Sequence, residues 1–189
     1  MVVDAYLNIG SLENAQPYYK SYEDVMLDRY DGWPDEHWAD VTKEKWQRLV
    51  VQDRAQVYKE RGLDGLFIDN TDVYYRYHTP EVYQSLKSML ASLKRQEFKL
   101  IVNGGDVFIS ETLKDCSAKK LYDGVNQEDV FTTYDFNKKK YGRQIKKIRI
   151  ITKDTLSRPK KQDLTSTSSN IEPARNFQKN RCTLRATRV

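Results

Sequence analysis

Two absences limit what this sequence can encode: it has almost no cysteine and no long apolar run. Its 189 residues include only two cysteines, Cys116 and Cys182, and no C-x-x-C or His-rich spacing accompanies them. A disulfide framework or a zinc site is therefore not indicated. No stretch approaches the roughly 20 apolar residues of a membrane-spanning helix, and the opening MVVDAYLNIG lacks the basic start and apolar core of a signal peptide. The sequence as written predicts a cytoplasmic protein that does not enter a membrane.

The positive charge of the chain is confined to its end. Residues 1–144 hold 20 Lys and Arg against 24 Asp and Glu, a balance of −4, whereas residues 145–189 hold 12 against 3, a balance of +9. An acidic body argues against nucleic acid as the partner and suits a neutral or cationic ligand. Taken at face value, the basic end would instead be an arm for nucleic acid or another anionic surface, with an affinity that falls steeply with salt.

Short apolar runs alternate with helical patterns along residues 1–144. Strands are predicted at residues 2–9, 65–70, 98–103 and 122–128, and helices at residues 42–61, 79–95 and 107–116. This alternation is typical of a parallel α/β sheet covered by helices, with strands such as GLFID buried on both faces. Residues 14–41 are aromatic and acidic, and within DGWPDEHW the residues Gly32 and Pro34 are predicted to break regular structure and to leave Trp33 and Trp38 on a long loop.

Polar residues follow every predicted strand. They are Glu13, Asp69 with Asn70, Asn103 with Asp106, and Glu128. A single such carboxylate could merely cap the next turn. Because the carboxyl ends of parallel strands share one edge, where α/β folds bind ligands, four such endings predict a site. Asp69, Asp72 and Asp106 could alternatively hold Mg²⁺ or Ca²⁺. Gly104 and Gly105 are not followed by the Lys-Ser/Thr of a phosphate loop, so no cofactor is predicted.

The sequence changes character after Arg143. Residues 145–189 are basic and rich in Ser and Thr, and their composition alone predicts a disordered extension. A frame displaced by one base over residues 145–171 can instead encode KEDKNYYKRYLESAKKAGLDVYLIEY, an amphipathic helix, a glycine and a buried strand ending in Glu. We therefore hypothesise that a one-base frameshift near Gln144 separates a domain at residues 1–144 from an aberrant, disordered tail at residues 145–189.

The motifs YLNIGSLE, GWPDEHWADV, GLDGLFIDNTDVY, IVNGG and DGVNQE occur in this order. With them, residues 3–143 resemble glycoside hydrolase family 114, the endo-α-1,4-polygalactosaminidase-like TIM barrels. At 189 residues, against about 250 for a whole barrel, the chain is expected to form a partial (β/α)8 barrel of about four to five βα units. The resemblance implies that whole members have an earlier strand, follow a secretion signal and close the barrel. An open barrel exposes sheet edges, so self-association is expected.

The resemblance also implies roles for individual residues. Asp69 matches the family's aspartate after the GLFID strand, the nucleophile or a charge-stabilising carboxylate, and Glu128 occupies the position of the acid/base. Glu13 falls near an acidic position that in other members follows the glycine directly, where Ser11 stands here. The residues expected to bind sugar hydroxyl or amino groups are Asn70, Asp72, Asn103, Asp106 and Gln127. Those expected to stack on sugar rings are Tyr74, Trp33 and Trp38.

Two functions fit these residues. Glycosidic cleavage needs one protonated carboxyl group and one ionised carboxylate, and Asp69 and Glu128 at the ends of different strands can supply them. The first function is thus a hydrolase, or an inactive piece of one, whose partner is a galactosamine-containing polysaccharide. The second is a non-catalytic polysaccharide-binding protein that uses the same cleft.

The frameshift hypothesis makes a prediction about the gene. We expect the nucleotides that encode residues 145–171 to translate, one base displaced, into the helix, glycine and strand given above. Resequencing the gene across the codon for Gln144 measures this directly. Stop codons in the displaced frame, or codons that do not yield the amphipathic pattern, would contradict the hypothesis.

Overall fold

The computed structural model describes residues 4–126 and, beyond them, the backbone of three short strands. In chain order the strands are β1 (Asp4–Asn8), β2 (Ser11–Glu13), β3 (Met26–Arg29), β4 (Glu36–Ala39), β5 (Gly65–Asp69), β6 (Lys99–Asn103), β7 (Gly124–Asn126), β8 (Thr132–Asp135), β9 (Lys140–Arg143) and β10 (Thr165–Thr167). The tail beyond Arg143, apart from β10, and the predicted site residues Gln127 and Glu128 lie outside the described residues.

The helices follow the strands as the sequence predicts. They are α1 (Glu44–Arg48), a π-helical segment (Leu49–Arg54), α2 (Ala55–Glu60), α3 (Val73–Arg76), α4 (Pro80–Arg95), α5 (Asp106–Lys114) and α6 (Ala118–Leu121). Thr79 caps α4 by accepting a hydrogen bond from the Val82 amide at 3.3 Å, with Pro80 in the first turn. No helix within the described part of the chain is long and apolar enough to cross a bilayer.

The main sheet is parallel, with the strand order β1-β5-β6-β7-β10. Its register pairs Asn8 with Asp69 and Asn103 with Asn126, so polar residues end four neighbouring strands along one edge. One face of this sheet is fully apolar and packs against the helices. Its buried side chains are Leu7, Leu66, Ile68, Leu100, Val102 and Val125.

The opposite face of the sheet departs from the expectation of burial on both faces. Tyr6 is 47% exposed, and Phe67 and Ile101 are only partly buried. These residues alternate with the buried ones along β1, β5 and β6, as the twofold period of a strand requires. The side of the sheet that carries Tyr6 is therefore less covered than the side that packs against the helices.

The prediction that Trp38 lies on a long loop with Trp33 is wrong, because Trp38 belongs to β4. Residues 14–41 contain a 3-10 helix (Tyr19–Val25) and two strands, and β2, β4 and β3 form an antiparallel sheet in that order. The sheet buries Leu12, Val25 and Trp38. Gly32 and Pro34 lie only in the turn between β3 and β4, so the loop signal was correct locally and was extended too far.

Burial of the helix faces predicts how stability responds to a single truncation. Leu90 on α4 is 0% exposed, whereas Leu27 on β3 is 37% exposed. We expect Leu90→Ala to lower the free energy of unfolding by about 2–5 kcal/mol, because the residual cavity adds to the lost apolar burial. The matched control Leu27→Ala should stay within about 0.5 kcal/mol. Urea unfolding measures both, and equal losses would contradict the assigned core.

Candidate active site

A cleft of about 330 Å³ opens at the carboxyl ends of β1, β5 and β6. We call it the strand-end cleft, and its lining residues are Tyr6, Tyr30, Trp33, Glu36, Asp69, Asn70, Asp72, Asn103 and Gly104. None of these described lining residues is basic. The strand ends that the sequence marks as polar are thus brought together, and three carboxylates share one cavity.

Asp69 is held by hydrogen bonds to both of its carboxylate oxygens. Oδ1 accepts from the Asn70 amide at 3.0 Å and from Asn103 Nδ2 at 3.1 Å, and Oδ2 accepts from the Tyr6 hydroxyl at 2.9 Å. Burial and then the charge of Asp69 raise the pKa of Tyr6, so its phenol keeps the proton that it donates. The carboxylate therefore has a fixed orientation at the cleft.

The Asn103 side chain is itself oriented by the next strand. Asn126 Nδ2 donates to Asn103 Oδ1 at 2.7 Å, so the Asn103 amide nitrogen points towards Asp69. A polar chain thus runs across the ends of β7, β6 and β5 and terminates at the Asp69 carboxylate. Sequence reasoning found Asn103 at this edge but did not assign a role to Asn126.

The turn between β1 and β2 brings Ser11 into the site. Asn8 Oδ1 accepts from the amides of Gly10 and Ser11 at 3.2 and 2.9 Å, which shapes the turn. A Cβ atom at Gly10 would overlap the Asn70 carbonyl oxygen, so only glycine permits β1 and the chain after β5 to come this close. Ser11 is 1% exposed, and its Oγ accepts from Asn70 Nδ2 at 2.9 Å.

Glu36 on β4 is a site residue that sequence reasoning missed. It lines the strand-end cleft, and Ser11 Oγ donates to its Oε2 at 2.8 Å. Burial raises the pKa of Glu36, and the nearby charges of Glu13 and Asp69 raise it further, against the effect of the Ser11 hydrogen bond. The four residues EHWA do not alternate between polar and apolar, so the sequence carried no strand signal that could have placed Glu36 at the cleft.

Asp72 follows β5 and is a partly buried carboxylate of the cleft. Its Oδ2 accepts from the Gly105 amide at 3.1 Å. Gly105 has φ of 72°, and a Cβ there would overlap Thr71 Oγ1, so the tight Gly104–Gly105 turn needs glycine. Burial, and next the charge of Asp106, raise the pKa of Asp72 to about 6.

The aromatic residues predicted to stack on sugars divide into two groups. Trp33 lines the cleft and is 54% exposed, and Tyr30 lines it too. Trp38 is not among the lining residues and is only 6% exposed, because β4 turns its ring inward to stack on Tyr30 at 4.0 Å between ring centroids. Tyr74 is also absent from the lining of the cleft: it is 7% exposed, and its ring stacks on His78 at 4.3 Å between ring centroids.

Two further predicted residues lie near the cleft but do not line it. Glu13 Oε1 lies 3.3 Å from the Tyr6 hydroxyl oxygen, whose proton goes to the closer Asp69, and Glu13 Oε2 accepts from Gln16 Nε2 at 2.9 Å. Asp106 begins α5, and its charge acts on Asp72. Among the residues that the structure describes, no group of three or more side chains is arranged to hold a metal ion, so the cation alternative for Asp69, Asp72 and Asp106 gains no support.

The sequence profile of a known family matches most of this chain. The profile is that of glycoside-hydrolase family GH114, and it covers residues 1–141, which include β1 to β7 and the strand-end cleft. The chain belongs to this glycoside hydrolase family. No curated protein sequence matches it.

Two solved structures are similar in fold to this chain. The glycoside hydrolase domain of PelA from Pseudomonas aeruginosa has a TM-score of 0.72 at 21% identity, with 87% of this chain and 65% of that chain covered. Ega3 from Aspergillus fumigatus, solved in complex with galactosamine, has a TM-score of 0.55 at 13% identity, with 89% and 74% covered. The GH114 chain thus has the fold of a partial TIM barrel, and it spans 65% of the PelA domain.

The raised pKa of Asp72 predicts that the stability of the protein depends on pH. This pKa is raised from 3.8 to about 6 on folding, so the folded protein binds this proton more tightly than the unfolded chain. The free energy of unfolding should therefore fall by about 2–3 kcal/mol between about pH 4 and pH 6 through this group alone, because one pKa unit is worth about 1.4 kcal/mol.

The Asp72→Asn variant isolates the contribution of Asp72 to this pH dependence. Asparagine keeps an oxygen for the Gly105 amide but does not titrate, so its unfolding free energy should lose that decrease relative to wild type. Asp31→Asn, at an exposed position, serves as the control that keeps the wild-type dependence. Urea unfolding at several pH values measures this, and identical profiles for wild type and Asp72→Asn would refute the assignment.

Proposed function

We propose that this chain is a glycosidase that cleaves α-1,4-linked galactosamine polymers within the chain, using Asp69 and Glu128 as its pair of carboxylates. The observation that carries the proposal is the way in which Asp69 is held by hydrogen bonds in the strand-end cleft of a chain that belongs to GH114. Its carboxylate lines the strand-end cleft and is fixed through both oxygens by Tyr6, Asn70 and Asn103.

Asp69 is proposed to face the anomeric carbon of the bound sugar. Glycosidic cleavage passes through an oxocarbenium-like state, and an ionised carboxylate on one face of the ring stabilises the positive charge or forms a covalent bond to the anomeric carbon. A carboxylate that accepts several hydrogen bonds keeps its orientation without reorganisation in the transition state. Tyr6 and Asn103 are therefore proposed to position the carboxylate rather than to react.

Glu128 is proposed as the group that protonates the leaving oxygen. It follows β7 by two residues, and the order of strands brings that strand's end beside Asn103, the neighbour of Asp69. A separation of about 5–5.5 Å between the two carboxyl groups predicts retention of configuration, and about 6.5–9.5 Å predicts inversion. The stereochemistry of the product then reports the separation.

The lining of the cleft supports an amino sugar as substrate. Three carboxylates and no basic side chain line the described part of the cavity, so its potential favours a cation. Trp33 presents an exposed ring that is suited to the apolar face of a sugar. Ega3, one of the structural relatives, was solved in complex with galactosamine, which is consistent with this choice.

The proposal predicts loss of cleavage when either carboxylate is neutralised. Release of reducing ends from α-1,4-linked galactosamine polymer is measured for wild type, Asp69→Asn, Glu128→Gln and the exposed control Asp31→Asn. We expect the first two variants to lose about 10²- to 10⁴-fold in rate and the control to lose nothing. The same set is repeated in a version with the displaced frame restored and the barrel completed.

The outcomes separate the two candidate functions. Cleavage only by the restored version, abolished by Asp69→Asn or Glu128→Gln, would support the site and make this chain a broken copy. Binding of the polymer by both versions without cleavage would overturn the catalytic roles of Asp69 and Glu128. It would support a polysaccharide-binding protein in their place.

A further inference from the structure

The dipeptide Asn103–Gly104 at the end of β6 has a chemical reactivity that the proposed cleavage does not use. Asn103 is the only asparagine among the 189 residues that is followed by glycine. In such a pair the asparagine side chain loses ammonia most readily, because glycine has no Cβ to shield the peptide nitrogen that attacks it. Both residues line the strand-end cleft, so water can reach them.

The reaction proceeds through a cyclic imide. The Gly104 nitrogen gives up its proton and forms a bond to Cγ of Asn103, the bond from Cγ to Nδ2 breaks, and Nδ2 leaves with that proton as ammonia. Water then opens the ring at either carbonyl carbon and leaves an aspartate or an isoaspartate at position 103. One water is consumed and one ammonia is released, and no other reactant is needed.

The folded chain opposes the first step at the attacking nitrogen. The Gly104 N–H donates to the Asn126 carbonyl oxygen at 3.0 Å, where the end of β6 pairs with the end of β7. The nitrogen must lose its proton before it can attack, and this hydrogen bond makes the loss less favourable. The Asn126 backbone therefore protects the nitrogen for as long as the two strand ends stay paired.

The Asn103 side chain is also held at both of its polar atoms. Asn126 Nδ2 donates to Asn103 Oδ1 at 2.7 Å, and Asn103 Nδ2 donates to Asp69 Oδ1 at 3.1 Å. Cyclisation requires the amide to turn from this position towards its own main chain, so both bonds must break. Asn103 is only half-buried, so enclosure by neighbouring atoms is incomplete and these bonds fix the amide.

We propose that Asn103 is a deamidation site of this protein, and that Asn126 protects it through its carbonyl oxygen and its side-chain amide. The rate then follows local opening at the ends of β6 and β7 rather than unfolding of the whole chain. Strand β7 has only three residues and ends at Asn126, so few backbone hydrogen bonds need to break before Gly104 is released. The inference does not depend on which glycan the cleft binds.

The product disrupts the arrangement around Asp69. An aspartate at position 103 has no N–H to donate to Asp69 Oδ1, and it brings a second carboxylate to the place from which the amide donated at 3.1 Å. Two carboxylates at this separation repel each other. An isoaspartate also adds a methylene group to the main chain, which displaces the end of β6 from its register with Asn126.

Mass spectrometry of the full chain tests the site and its protection. The protein is incubated in mildly alkaline buffer, with and without urea, and deamidation is located by peptide mapping. We expect wild-type Asn103 to deamidate at least about tenfold faster in urea than in the folded protein, because folding closes the site. Folded Asn126→Ala should deamidate there about fivefold faster than wild type, the factor that one lost hydrogen bond provides.

Further variants separate local protection from overall stability. Asn14→Ala removes an exposed amide that donates to Asp35 at 2.9 Å just after β2, and it should keep the wild-type rate. Leu90→Ala opens a cavity in the core but leaves the Asn126 contacts intact, so it should keep that rate while the protein stays folded. Asn126→Ser, which also lacks the amide donor, repeats the test if Asn126→Ala does not fold. Far-UV circular dichroism checks the fold of each variant.

The outcomes decide the assignment. Faster deamidation in Asn126→Ala, with the wild-type rate in Asn14→Ala and Leu90→Ala, supports it. Absence of deamidation at Asn103 in urea overturns the site. Equal rates with and without urea, equal rates in wild type and Asn126→Ala, or equal acceleration by Leu90→Ala overturn the protective role of Asn126. The deamidated fraction, separated by ion exchange, should have a lower urea midpoint than the intact protein, and an unchanged midpoint overturns the effect at Asp69.

Discussion

The hydrogen bonds that hold Asp69 are the interaction on which the whole site depends. Their donors come from β1, from the residue after β5 and from β6, so the carboxylate is positioned only when the three parallel strands are paired in register. A shift of one residue would move Asp69 to the other face of the sheet and leave its charge against the apolar helix layer. The apolar pattern of the strands and the polar residues at their ends therefore favour the same strand register.

The antiparallel sheet gives the cleft a second wall with different chemistry. The parallel strand ends contribute amides and the Asp69 carboxylate, whereas β4 contributes Glu36, and the turn from β3 to β4 contributes Trp33. Ser11 connects the two walls, because it accepts from Asn70 after β5 and donates to Glu36 on β4. Burial of Ser11 makes this connection rigid, since a buried hydroxyl without partners would cost free energy. The position of Glu36 relative to Asp69 is thus set by packing as well as by chain connectivity.

The parts of this fold that were predictable from sequence are those with a strong period. Helix α4 has its cap, its proline and its apolar stripe in the expected places, and β5 and β6 end in polar residues as their apolar runs indicate. The antiparallel sheet was missed because its strands are only three or four residues long and are separated by turn residues that suggest a loop. Trp38 and Tyr74 were placed at the site for their rings, but burial is decided by neighbours such as Tyr30 and His78, which sequence spacing does not show.

Strand β10 gives a physical argument for the frameshift that we propose. It pairs in parallel with β7, matching Thr165 with Gly124 and Thr167 with Asn126, and so occupies the next position in the sheet. Strands in this position of a helix-covered parallel sheet are apolar, as Leu66 with Ile68 and Leu100 with Val102 are. Thr-Ser-Thr offers no such residues, whereas the frame displaced by one base begins its predicted strand, DVYLIEY, at the codons for these same residues. A displaced frame would produce this combination, in which a strand takes the next position in the sheet but its residues do not suit a buried strand. If the displaced frame were restored, the strand that replaces Thr165–Thr167 would end in a glutamate, as the strands that end in Asp69 and Asn103 end in polar residues.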